Sequence, residues 1–268
     1  METVQDFRLT VLNHYRENGR SFPWRETADP YAVAISELML QQTQTDRVVP
    51  KYEAFLSALP TWQALASVDT KTLLQLWQGL GYNRRALNAK RMAEQVVEKH
   101  GGQMPVGEDE LRALPGIGPY TAGAVRAFAF NQPVVMIETN IRRAFLHHFF
   151  ADKEGVPDAD LFPLIQEAVD MDNPREWYYA LMDYGSWLAK KYPNANRRSK
   201  HYTKQSTFTG SLRQLRGQVV RFVTKHPRTT VVELLEETGQ APERLNEALA
   251  GLAKDGFVVC EGNEIALA

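Results

Sequence analysis

Apolar residues recur at three- and four-residue intervals along most of the first 210 positions, the period of helices with one buried face. The pattern predicts helices over 4–18, 32–42, 48–59, 61–66, 71–78 and 84–100, then over 108–114, 120–130, 141–150, 160–170 and 174–192. Pro60, Gly79 and Gly101-Gly102 punctuate them, and Pro50 falls in the first turn of its helix, where a missing N–H is tolerated. Residues 192–211 are polar, basic and turn-rich and read as a linker or extended loop. Helices over 212–225, 230–238 and 242–255 follow. Two short strands, 257–260 and 264–267, then flank a Gly-Asn turn as a β-hairpin. The expected fold is an all-α core over residues 1–210, with a cleft between two helical subdomains, and a small winged-helix-like unit over 211–268.

Composition adds exclusions. Apolar content of 44% and charged content of 24% are ordinary for a soluble globular chain, and 268 residues suffice for one large or two modest domains. No apolar run is long enough to span a bilayer, and the N-terminus reads as a polar helix rather than a signal peptide. A cytoplasmic protein that does not engage membranes is expected. The single cysteine, Cys260, excludes an internal disulfide.

A net charge of −1 gives no hint of nucleic acid, but the distribution of charge does. From Tyr184 to Val232 there is no Asp or Glu, while eleven Lys or Arg are interleaved with aromatic residues. Such a segment suits a phosphate backbone, with Arg197, Arg198 and Lys200 as the candidate contacts.

The most informative stretch is Leu114-Pro115-Gly116-Ile117-Gly118, a turn that leads straight into a helix start. Gly116 and Gly118 allow a tight turn and close approach of a ligand, and the outward N–H groups favour an anion such as a DNA phosphate. Two carboxyls stand out besides. Glu37 lies in the apolar run 32–40, where burial would raise its pKa and let it hold a proton near neutrality. Glu138 follows a Pro-marked loop.

Together with Phe22-Pro23-Trp24-Arg25, Ser36-Glu37-Leu38-Met39-Leu40-Gln41-Gln42-Thr43-Gln44 and Gly79-Leu80-Gly81-Tyr82, these motifs closely resemble the adenine DNA glycosylase family of the helix-hairpin-helix superfamily. The resemblance runs from about Phe22 to Gly185. It implies a base-excision enzyme acting on double-stranded DNA that carries a mismatch or lesion, expected to work as a monomer. The target base is flipped out and its N-glycosidic bond hydrolysed, adenine being the leading candidate. A thymine, uracil or damaged purine is an alternative, as is a catalytically silent lesion-binding protein. The resemblance makes Glu37 the acid that protonates the base and Glu138 the anion that stabilises the cationic sugar. It assigns Trp24, Arg25, Tyr120 and Asn140 to the base pocket, and Gln42 and Tyr82 to insertion into the duplex. Main-chain carbonyls of Leu114 and Ile117 are expected to hold a monovalent cation.

The departures are as telling. Glu138 stands where the family has Asp, which would move the carboxylate by about 1.5 Å if nothing else adjusted. Tyr120 occupies the position where bifunctional members carry a lysine; a phenol forms no imine, so no strand cutting is expected. The region after Gly185 lacks the four cysteines of an iron–sulfur cluster, so none is expected, nor any other cofactor. The winged-helix-like unit is expected to stand in place of the larger C-terminal domain that reads 8-oxoguanine in the family.

Overall fold

The computed structural model describes residues 3–204 and 207–268. Among them the chain forms α1 (Val4–Asn18), α2 (Pro30–Leu40), α3 (Thr45–Ala58), α4 (Trp62–Ser67), α5 (Thr70–Trp77), α6 (Arg84–His100) and α7 (Glu108–Ala113). It continues with α8 (Pro119–Phe128), α9 (Thr139–Phe149), α10 (Asp158–Ala168), α11 (Pro174–Lys191), α12 (Leu212–Lys225), α13 (Val231–Thr238) and α14 (Pro242–Asp255). Short 3-10 turns occupy Pro23–Arg25 and Ala195–Arg198. No helix among the described residues is long and apolar enough to cross a membrane.

The helices gather into two compact units. One holds the chain through Leu38 together with Met104–Lys204; the other holds Met39–Gln103 and the chain beyond Lys204. In the first, α11 packs on α1 and α9. Its core is aromatic: Phe7 lies with its ring centroid 4.9 Å from Phe145 and meets Trp177 edge-on at 6.2 Å. The second unit joins α3–α6 to the C-terminal elements, with α4 against α6 and α12 against α5.

Capping explains several helix boundaries. Asp29 accepts the Tyr31 N–H at 3.0 Å, so α2 starts at Pro30, where the ring replaces an N–H that would be orphaned. The helix stops at Leu40, because Gln42 turns left-handed at φ 55°. Glu138 caps α9, which therefore begins at Thr139 and not at 141.

The C-terminal elements run helix, strand, helix, helix, strand, strand, the order of a winged helix. β1 (Arg228–Thr230), β2 (Val258–Glu261) and β3 (Glu264–Leu267) form an antiparallel sheet in the order β1-β3-β2. The sequence pattern yields only the hairpin. β1 is three residues long, too short to show an alternation, and Thr230 ends it while also capping α13 through a capping box with Glu233.

Candidate active site

α2 is the one element that supplies Glu37, and every residue of it from Tyr31 to Met39 is buried. Glu37 itself is 6% exposed. Burial raises its pKa from 4.5 to about 7, the nearby Glu138 adds to the rise, and a hydrogen bond from Tyr120 opposes it. At neutral pH this carboxyl is therefore a proton donor and acceptor in comparable measure. Tyr120 stands in the first turn of α8, the second helix of the hairpin; burial and the two carboxyls push its hydroxyl well above its ordinary value. The structure thus brings Glu37, Tyr120 and Glu138 together within the first unit.

Glu138 is held by the helix it caps. Its Oε1 accepts the N–H groups of Asn140 (2.6 Å) and Ile141 (2.8 Å), and Oε2 accepts the Asn140 side-chain amide at 3.3 Å. Burial pushes its pKa up, against the backbone donors and the positive charges of Arg143 and Arg142. This bifurcated cap keeps the Glu138 carboxylate at the positive end of α9.

Behind the cap, Arg143 donates to the Asn140 side chain and to the Gly185 carbonyl, both at 2.8 Å. Gly185 is required here: a Cβ would stand 2.3 Å from the Asn140 carbonyl oxygen. Asn196 donates to the Thr139 carbonyl at 3.0 Å, so the 3-10 turn after α11 closes over the start of α9. That turn carries Arg197, exposed, and Arg198, half-buried; Lys200 follows, exposed.

Trp24 and Arg25 form part of the frame. Trp24 is buried and stacks on Phe22, ring centroids 4.9 Å apart. Arg25 grips Asp183 with both terminal nitrogens (2.9 and 2.7 Å), while the Arg20 N–H and guanidinium complete the Asp183 carboxylate. Asp183 is 3% exposed, and these donors hold it below the usual carboxylate range despite burial. The Arg25 guanidinium also lies 4.6 Å from the Tyr179 ring centroid, and the charge of Glu37 reaches Tyr179. Sequence reasoning missed Tyr179, Asp183 and Arg143. The signal was present for Asp183: an acid inside the aromatic face of α11, one helical turn beyond Tyr179.

The hairpin turn takes the shape its sequence implies. Gly116 adopts φ 85°, open to glycine at little cost. Gly118 is different: its φ of −92° is ordinary and a Cβ would meet no protein atom within 4 Å. Nothing among the described residues demands glycine there. The Leu114 carbonyl accepts the Ile117 N–H at 3.2 Å.

In the second unit, Gln42 and Tyr82 share a device absent from the sequence reading. Both have left-handed backbones, φ 55° and 46°, which cost a side-chain-bearing residue of order 1–3 kcal/mol. Arg85, 6% exposed, braces both turns. It donates to the carbonyls of Met39 (2.8 Å) and Gln41 (2.7 Å) and to the Thr43 hydroxyl (3.1 Å) on one side. On the other it reaches the carbonyls of Leu80 (3.2 Å), Gly81 (3.0 Å) and Tyr82 (3.4 Å). Burial lowers its pKa to about 10, which still leaves it charged at neutral pH. Its neighbours are also engaged within the protein: Arg84 pairs with Asp255 at 3.1 Å, and Lys90 donates to the Ala66 carbonyl at 2.6 Å.

The family profile of the HhH-GPD superfamily of base excision DNA repair proteins matches residues 35–161. The chain is 36% identical over 195 residues to the adenine DNA glycosylase of Homo sapiens, covering 68% of this chain and 36% of that one. It is 30% identical over 269 aligned positions to the adenine DNA glycosylase of Mycobacterium tuberculosis (strain ATCC 25618 / H37Rv), covering 90% of this chain and 87% of that one. A thermostable thymine-DNA glycosylase superposes with a TM-score of 0.63 at 25% identity, covering 74% of this chain and 90% of that one. Endonuclease III in a non-covalent DNA complex shares the fold, with a TM-score of 0.59 at 18% identity over 75% of this chain and 97% of that one. The chain spans 36% of the human relative's length and 56% of that of the relative from Buchnera aphidicola subsp. Baizongia pistaciae. On the strength of the shared motifs, the helical architecture and near-complete overlap with the mycobacterial relative, the chain belongs to the adenine DNA glycosylase family of the HhH-GPD superfamily of base excision DNA repair proteins.

Proposed function

We propose that this protein is a monofunctional DNA glycosylase of base excision repair that binds mismatched or lesion-bearing duplex DNA as a monomer and removes a flipped-out base, adenine foremost. The observation that carries the reading is the buried Glu37 carboxyl, bonded to Tyr120 beside Glu138. Glu37 donates its proton to a ring nitrogen of the extruded purine, so the base leaves neutral as the C1′–N bond breaks. The cationic sugar forms next to Glu138, whose carboxylate is aimed by the α9 cap and stabilises it. Water adds its oxygen to C1′ and returns a proton to Glu37. Two carboxyls in unlike surroundings thus divide acid and anion roles, as in glycoside hydrolysis. Tyr120 has no amine to offer the sugar, so the strand stays whole. Gly116, Gly118, Arg197, Arg198 and Lys200 hold the phosphates, and Gln42 and Tyr82 enter the duplex. Leu114 and Ile117 carbonyls at the hairpin suit a monovalent cation, and one cysteine cannot ligate an iron–sulfur cluster.

The likeness to a thymine-DNA glycosylase favours thymine as a second substrate. Glu37 favours the purine: a buried carboxyl that is still substantially protonated near neutral pH suits a leaving group that must be protonated. Single-turnover excision on duplexes carrying adenine opposite 8-oxoguanine, adenine opposite guanine and thymine opposite guanine tests this. Adenine release without strand nicking is expected. Faster thymine release would reverse the order, and no release from any duplex would leave only a binding role.

A further inference from the structure

Arg213 stands in the first turn of α12, in the winged-helix part of the second unit. Its Nη1 donates to the Tyr82 hydroxyl at 2.5 Å, and its guanidinium carbon lies 5.7 Å from the Tyr82 ring centroid. The two residues are 131 positions apart in sequence. Tyr82 is a partly exposed aromatic, 39% exposed, on a left-handed backbone that Arg85 braces, and the Arg85 guanidinium carbon also lies 5.6 Å from its ring centroid.

A second anchor lies beside the first. Asp255, at the end of α14, pairs with Arg84 of α6 at 3.1 Å and also with Arg216 of α12. The Arg91 guanidinium lies against Gly256, 3.2 Å from where a Cβ would stand. The winged-helix elements therefore engage the segment from Tyr82 to Arg91 that leads into and begins α6. Arg213, Arg216 and Arg244 all donate to protein acceptors, Arg244 to the Gly210 carbonyl. The recognition-helix position, α14, retains the acids Glu243 and Glu247 on its exposed side, which repel phosphates.

From this we infer that the winged-helix unit works as a brace for the Tyr82 side chain, with Arg213 as a positioning residue. A ring on a short loop has freedom about two side-chain torsions, and ordering it on DNA would cost binding free energy. A guanidinium that holds the hydroxyl and faces the ring removes that freedom before DNA arrives. The inference rests on the reading of Tyr82 as a duplex-entering residue.

The full-length protein labelled with 3-fluorotyrosine tests it without DNA. The Tyr82 resonance is assigned by its loss in Tyr82→Phe. Arg213→Ala is expected to shift that resonance, Arg213→Lys to shift it less, and the other tyrosines to stay in place. An unmoved Tyr82 resonance in Arg213→Ala overturns the proposal. On a duplex with adenine opposite 8-oxoguanine and 2-aminopurine as the neighbouring base, Arg213→Ala should slow base extrusion about tenfold, the scale of one charge-assisted hydrogen bond. The same substitution in a Tyr82→Phe background should slow it no further. An undiminished effect there, with a salt slope flatter by about 0.9, identifies Arg213 as a phosphate contact instead and refutes the brace. Wild-type extrusion by Tyr82→Ala defeats the duplex-entry reading, and the fluorine result then stands apart from it.

Discussion

The Tyr120 hydroxyl donates a hydrogen bond to the carboxyl of Glu37, joining the second helix of the hairpin to the apolar helix α2. The bond favours the ionised carboxyl and so restrains the rise that burial imposes. Tyr120→Phe removes the donor, so the Glu37 pKa should climb above about 7 and excision should persist to higher pH. Single-turnover rates between pH 5 and pH 10 check this. A midpoint at the wild-type position would show that Glu37 is not the titrating acid.

Glu37 also makes stability depend on pH. Its pKa is higher folded, about 7, than its ordinary 4.5, so the native state holds the proton more tightly. The contribution is complete below about pH 4.5 and is lost as pH rises through about 7. Glu37→Gln cannot ionise. It should abolish excision, and from pH 4 to pH 8.5 its stability relative to wild type should improve by about 3 kcal/mol. Denaturant unfolding at both pH values measures the difference, and a pH-independent gap would contradict the buried, proton-holding carboxyl.

Arg85 gives the clearest account of where sequence reading stopped. Its register is legible: Arg85, Ala89, Met92 and Val96 follow one another at helical spacing and all are buried. An arginine on that stripe cannot be an ordinary solvated charge. What one-dimensional pattern cannot supply is the partner, because the carbonyls it binds belong to two turns about forty residues apart. The same limit hid Asp183 with Arg25 and Asn196 with Thr139. By contrast, the helices, the hairpin turn and the burial of Glu37 rest on local spacing and apolar context, while the role of Glu138 came from the family resemblance. β1 was beyond reach because only its pairing with β3 makes it a strand.

Arg85→Ala should destabilise the protein by about 3 kcal/mol or more, since several buried carbonyls lose their donor. Arg85→Lys should rescue little, because one ammonium cannot serve both turns as a planar fork does. If both turns position groups for base extrusion, excision should fall by about a hundredfold in the lysine variant at temperatures where it stays folded. Thermal unfolding with single-turnover kinetics separates the two effects, and wild-type kinetics in a folded Arg85→Lys protein would remove Arg85 from the functional frame.

Gly185→Ala tests the wall behind Glu138. The added methyl would stand 2.3 Å from the Asn140 carbonyl, so either α11 or the first turn of α9 must shift. Because Asn140 supplies two of the hydrogen bonds that aim Glu138, displacement of the turn misplaces the anion. A 1 Å error of this kind costs on the order of a hundredfold in rate. If DNA binding rests mainly on other residues, it should change less than excision, so kcat should fall more than KM rises. Loss of binding without loss of kcat would place the strain in the DNA-facing surface instead.

The exposed residues after α11 make the last test. Arg197 and Lys200 are exposed, on and just after a 3-10 turn that the Asn196–Thr139 hydrogen bond fixes against α9. Each that meets a phosphate releases counterions, so replacing it by alanine should flatten the log–log salt dependence of binding by about 0.9. The weakening should be the same for matched and mismatched duplexes, since phosphates carry no sequence. Asn196→Ala should act differently. It removes no charge, so the salt slope should hold, but it frees the turn and should lower affinity and excision together. Titrations at several salt concentrations on matched and mismatched duplexes distinguish these outcomes. An unchanged slope in the Arg197→Ala, Lys200→Ala double variant would exclude this turn from the phosphate-binding surface.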